Sequence, residues 1–130
     1  MRSVARNRAN GKRYEGELVK ILRSRGISAR LGRSNEEADV ILADFNVLIE
    51  VKSTSRKNFS LNLNKRTKDQ HFRLGTIPAK VFYAIRYKGK GVAGWRFYAF
   101  PESPQVLYWN EGLSLGEMAV MLGKEAMQDA

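Results

Sequence analysis

The chain alternates between two hydrophobic periods, and the switches between them lay out its elements. Tyr14, Leu18, Ile21 and Leu22 recur at helical spacing, predicting a helix from Gly11 to Arg25 with Gly26 as its stop. Ser28 to Leu31 reads as a short strand and Gly32 to Ala38 as a polar loop. Asp39 to Ala43 and Val47 to Lys52 read as two strands joined tightly through Asp44, Phe45 and Asn46. Ser53 to Asn64 is polar and irregular, and Lys65 to Leu74 has a helical pattern ended by Gly75 and Pro78. Lys80 to Tyr87 and Trp95 to Phe100 are strands rich in Val, Phe, Tyr and Ile, separated by the loop Lys88-Gly89-Lys90-Gly91. Val106 to Trp109 predicts a last short strand. Ser114-Leu115-Gly116-Glu117 is a capping box opening a final helix, with Leu115, Met118 and Leu122 inward and Gly123 ending it. This order predicts an α/β fold, a mixed central β-sheet flanked by helices. Residues 1–10, rich in Arg and Asn with little to bury, are expected to form a basic flexible N-terminal arm, and 11–130 a single domain.

Ionisable residues interrupt this hydrophobic pattern in one place. Alternation along the second hairpin strand turns Val47, Ile49 and Val51 one way and Leu48, Glu50 and Lys52 the other. Glu50 and Lys52 therefore share a face, roughly 7 Å apart. A four-residue loop sets Asp39 opposite Glu50, whereas a three-residue loop sets it opposite Val51. Like charges facing each other repel unless a cation lies between them. Glu15 falls inside the apolar arc of the first helix, and Glu17 falls outside it. Buried ionisable groups cost free energy unless they are paired or hold a metal, so Glu15, Asp39, Glu50 and Lys52 form the candidate site.

Composition narrows the chemistry. There is no cysteine and one histidine, His71, which excludes disulfides, thiolate or multi-histidine metal sites and a cysteine nucleophile. A metal here is held by oxygen, which favours Mg2+, with Mn2+ as substitute. Oxygen-held magnesium suits phosphodiester hydrolysis: it acidifies a water and polarises a phosphate. Glu15 would orient a metal-bound water, and Lys52 would set a positive charge beside the attacked phosphate. No apolar run reaches the ~18 residues of a membrane span, and the basic start lacks the apolar core of a signal peptide, so a cytoplasmic, DNA-associated protein with no membrane partner is expected. Against 13 acidic residues stand 23 basic ones, a net charge of +10 that points to nucleic acid. The basic residues surround the candidate site. Arg2, Arg6, Arg8, Lys12 and Arg13 precede Glu15, Arg30 and Arg33 flank the loop before Asp39, and Arg56, Lys57, Lys65 and Arg66 follow the second hairpin strand.

A glutamate in the first helix, an aspartate opening one strand and Glu50-Val51-Lys52 in the next resemble the PD-(D/E)xK nuclease signature, with Glu37-Ala38-Asp39 in place of Pro-Asp. Tyr14-Glu15-Gly16-Glu17-Leu18, Arg25-Gly26-Ile27, Asp39-Val40-Ile41, Gly94-Trp95-Arg96-Phe97 and Leu113-Ser114-Leu115 resemble, in order, the archaeal-type Holliday junction resolvases. The resemblance implies a restriction-endonuclease-like fold and a homodimeric, magnesium-dependent endonuclease acting on four-way DNA junctions. It implies Glu15, Asp39, Glu50 and Val51 as metal ligands, and Glu15, Asp39, Glu50 and Lys52 as the catalytic set. Ser34 corresponds to a small or hydroxyl residue that the family places before the aspartate. Gly16 stands where the family carries an arginine, a position that nearby Arg13 can serve. Two competing expectations are a restriction or repair endonuclease of the same superfamily and a non-catalytic DNA-binding module of the same fold.

Overall fold

The computed structural model describes residues 4–33, 38–61, 80–88, 94–99 and 105–128, with side chains from 12 to 123 within those segments except at position 61 and 105. The first helix, α1, spans Val4–Ser24. It starts ahead of the expected Gly11, so the segment expected to be a flexible arm is helical backbone from Val4 onward. Ala5, Arg6, Arg8 and Ala9 have adequate helix propensity to continue the turns that Leu18 and Leu22 anchor. The helix ends as expected. Gly26 takes φ +78°, Ile27 N–H donates to Leu22 O at 3.0 Å and Gly26 N–H to Arg23 O at 3.0 Å, a Schellman motif.

The strands are β1 (Arg30–Leu31), β2 (Val40–Leu42), β3 (Val47–Thr54), β4 (Asn58–Leu61), β5 (Lys80–Tyr87), β6 (Trp95–Ala99) and β7 (Gln105–Tyr108). Five of them form a mixed sheet in the order β1-β2-β3-β5-β6, and β4 pairs with β7 in a separate two-stranded sheet. β3 and β5 run parallel, while the other pairs are antiparallel. β4 is a correction: Asn58–Leu61 lies in the stretch read as irregular. Asn58-Phe59-Ser60-Leu61 alternates polar and apolar residues as a half-buried strand does, and it pairs with β7 across a long sequence separation. The last helix, α2, spans Leu115–Gln128. Its capping box forms, with Glu117 N–H donating to Ser114 Oγ at 3.2 Å and Ser114 N–H to Glu117 Oε1 at 3.0 Å. The helix runs through Gly123 rather than stopping there. A helix-interior glycine costs only about 1 kcal/mol, and Leu115, Met118 and Leu122 bury the face before it.

The two faces of the main sheet have different jobs. Val47, Ile49 and Val51 of β3, Phe82 and Ala84 of β5, and Trp95 and Phe97 of β6 pack against α1 and α2 in one core. On the other face Tyr83, Ile85, Tyr87 and Tyr98 pack with Leu107 of β7 and Phe59 of β4. Glu50 belongs to this second face. The segment Lys65 to Leu74, expected to be helical, lies outside the described residues.

Candidate active site

Register places the site. Val40 pairs with Ile49 and Leu42 with Val47, so the connection has four residues and Asp39 falls opposite Glu50. The turn is a single 3-10 turn, Ala43–Phe45, closed by Asn46 at φ 54°. Asn46 accepts this left-handed conformation at lower cost than most residues, and Lys80 N–H donates to its carbonyl at 3.1 Å, which fixes where β5 begins.

Asp39 itself stands just before β2. Its N–H donates to Ile49 O at 3.1 Å, and its Oδ2 accepts the Val51 N–H at 2.9 Å. A charged acceptor thus takes a backbone donor of the neighbouring strand and holds the carboxylate at a fixed height beside Glu50 and Val51. From the other side Gly32 N–H donates to Asp39 O at 2.8 Å. A side chain at Gly32 would collide with the Ala38 carbonyl oxygen, so only glycine allows this approach.

Glu50 is 4% exposed, the sole buried charged residue among those described. Its Oε1 lies 3.6 Å from Lys52 Nζ, and its Oε2 is buried with no hydrogen-bond donor among the described residues. Lys52 keeps its ammonium half in solvent, at 42% side-chain exposure. Glu15 reaches Asp39 from α1. Burial, the Asp39 charge and a hydrogen bond shared with Asp39 push its carboxyl up to about 7, against the opposing pull of Lys12 and Lys52. The described carboxylates do not converge as one group of three. Instead Glu15, holding its proton, shares a hydrogen bond with Asp39, and Glu50 pairs with Lys52.

Tyr83 is a neighbour that the sequence pattern missed. It is the cross-strand partner of Glu50 on β5 and is 1% exposed. Burial first, then the Glu50 and Asp39 charges, push its phenol above the usual range, so it stays neutral. The parallel β3–β5 register that brings it there follows from no local signal.

Among the basic residues read as DNA contacts, Lys12, Arg13, Arg33, Arg56 and Lys57 are exposed and Arg30 is half-buried. Arg2, Ser34, Lys65 and Arg66 lie outside the described residues, as do the side chains of Arg6 and Arg8.

This mixed sheet, with helices on one face and an Asp–Glu–Lys cluster across its β2–β3 hairpin, defines the restriction-endonuclease-like class of α/β folds. The model of the archaeal Holliday junction resolvase (Hjc) family matches residues 6–106. This chain belongs to that family. Its fold is similar to the structure of Hjc from Archaeoglobus fulgidus, a Holliday junction resolvase from an archaeal hyperthermophile, with a TM-score of 0.66 and 20% sequence identity over 85% of this chain and 96% of that one. No curated protein matches the chain.

Proposed function

We propose that this chain is a structure-selective endonuclease that resolves four-way DNA junctions by metal-dependent phosphodiester hydrolysis, with paired symmetric nicks. The family match carries the reading, and the Asp39 carboxylate opposite buried Glu50 supplies its chemistry.

The donor set suits a hard divalent cation. Asp39 and Glu50, opposite each other across the hairpin, offer only oxygens, with the backbone of Val51 beside them, and Mg2+ or Mn2+ prefers such ligands; Glu15 reaches Asp39 alone and would join them only after a shift. When bound, the ion would acidify a water and polarise a phosphate oxygen. The protein's own part is positional and electrostatic. Asp39 is locked by the Val51 N–H, so its carboxylate need not reorganise. Lys52 sets a compact positive charge at the mouth of the site, where a phosphate would arrive. Glu15, once ionised, would orient a water beside Asp39.

One site per chain and two symmetric cuts call for two chains on a two-fold axis. Of the aromatic and Met side chains that could line such an interface, Trp95, Phe97, Tyr98 and Met118 are buried in the chain's own core. Val106, Tyr108 and Val120 are exposed. They support a pairing surface around β7 and α2, next to an open cleft of about 780 Å³ between β6 and β7. Among the described residues no helix is long and apolar enough to cross a membrane.

Asp39→Asn and Glu50→Gln should each lower cleavage of a synthetic four-way junction by about 100-fold or more, since metal stabilisation is worth several kcal/mol. Junction affinity should be nearly unchanged. Wild-type cutting rates in either variant would remove the metal-site assignment, and equal cutting of plain duplex and junction would remove the junction reading.

A further inference from the structure

Three cations crowd one aromatic ring. The Arg13, Arg86 and Lys88 charges each lie 5.9 Å from the centre of the Tyr14 ring, so all three fit within one sphere of that radius. Glu17 is the acid tied into this group. Its Oε1 accepts Arg86 Nε at 3.2 Å and Trp95 Nε1 at 3.2 Å. Arg86 also donates to Tyr87 O at 2.9 Å, and its side chain is 12% exposed, so it is a fixed charge built into the β5–β6 edge. Arg13 is exposed and Lys88 half-buried, and their charges have no such anchoring among the described residues. Cation–π attraction to one ring contributes little against the mutual repulsion of three positive charges. A cluster with three positive charges and one negative is stabilised when an anion enters it.

The cluster adjoins the candidate active site. Lys88 N–H donates to Thr54 O at 2.9 Å, and Thr54 lies two residues beyond Lys52 on β3, roughly 7 Å further along. Tyr14 directly precedes Glu15, whose carboxyl feels both Lys12 and Lys52.

We propose that Arg13 and Lys88, seated on Tyr14 and backed by Arg86, form a backbone-phosphate cradle that holds the DNA strand beside the scissile position. The inference rests on the junction-nuclease reading and adds to it a defined phosphate subsite, with Lys88 as a contact from outside the three basic segments recognised in the sequence. Arg13 takes over on the helix a role that Gly16 cannot fill.

The test is the salt dependence of DNA binding by the whole protein in EDTA, where no cleavage intervenes. The Arg13→Gln/Lys88→Gln double variant should bind a four-way junction several-fold more weakly near 0.1 M salt. The slope of log affinity against log salt should become shallower by about 0.9 for each phosphate the variant no longer neutralises. Lys20→Gln removes one charge from an exposed position of the same helix outside the cluster. It should leave the slope unchanged. The cradle is overturned if the double variant keeps the wild-type slope, or if Lys20→Gln changes it as much per charge. Circular dichroism melts of all variants confirm folding, and Lys88→Gln alone provides the reading should the double variant fold poorly. Wild-type protein that binds duplex and junction equally would sink the junction reading while leaving the slope comparison intact on duplex.

Discussion

Glu15 shows how much one side chain can report. Its carboxyl is raised from 4.5 to about 7 by burial and by Asp39. The folded protein therefore keeps a proton that the unfolded chain releases between those values. The sign is fixed: in metal-free protein this group makes stability fall as pH rises from about 4.5 through 7. Glu15→Gln should flatten that slope, measured as melting temperature against pH in EDTA, and an unaltered slope would place the titration elsewhere. Gly32 acts through space rather than charge. Gly32→Ala forces a methyl against the Ala38 carbonyl, which should cost about 1–3 kcal/mol in chemical denaturation. It should also reduce cleavage more than binding, because the displaced backbone carries Asp39.

At the scale of elements, the buried tyrosines join the two sheets. Tyr98 donates its hydroxyl to Tyr108 O at 2.6 Å, and Tyr87 donates to Leu107 O at 2.9 Å, with the two hydroxyls 2.8 Å apart. Tyr98→Phe should destabilise the protein by about 1–3 kcal/mol, since it leaves a carbonyl of β7 without its donor. Amide exchange should quicken in β4 and β7 before it does in β3 and β5, and uniform quickening would show that the joint is not local. The sequence made β2, β3, β5, β6 and the capped α2 legible because each carries its own period and its own punctuation. Asp39 opposite Glu50 was one of two registers the turn permitted, and Leu42 against Val47 selects it. β4 carries its own alternation, Asn58-Phe59-Ser60-Leu61, within a stretch that is otherwise polar, and what stayed hidden was its pairing with β7, more than forty residues away. Glu17 was placed outside the apolar arc of α1, yet it anchors that helix to Arg86 and Trp95. Helical periodicity cannot show which polar residues meet a partner on a distant strand.

For the whole molecule, a charge of +10 implies long-range attraction to DNA. The association rate with a junction should fall steeply between about 0.05 and 0.2 M salt. Single-turnover cleavage of the bound complex should change little, because close pairs such as Lys52 and Glu50 are less screened than distant surface charges. Equal salt sensitivity of both rates would show that salt disturbs the site itself. The four-residue turn after β2 has a larger reach than its size suggests. Strand side chains alternate strictly, so adding or deleting one residue between Leu42 and Val47 would invert β3 as a unit. Glu50 and Lys52 would then point into the greasy layer under the helices, and Val47, Ile49 and Val51 would turn to the face that Glu50 and Lys52 occupy in the native register. A loop that tolerates length variation elsewhere on a protein surface is here a counting device, and indels at Ala43 to Asn46 should be purged from functional relatives even where substitutions survive.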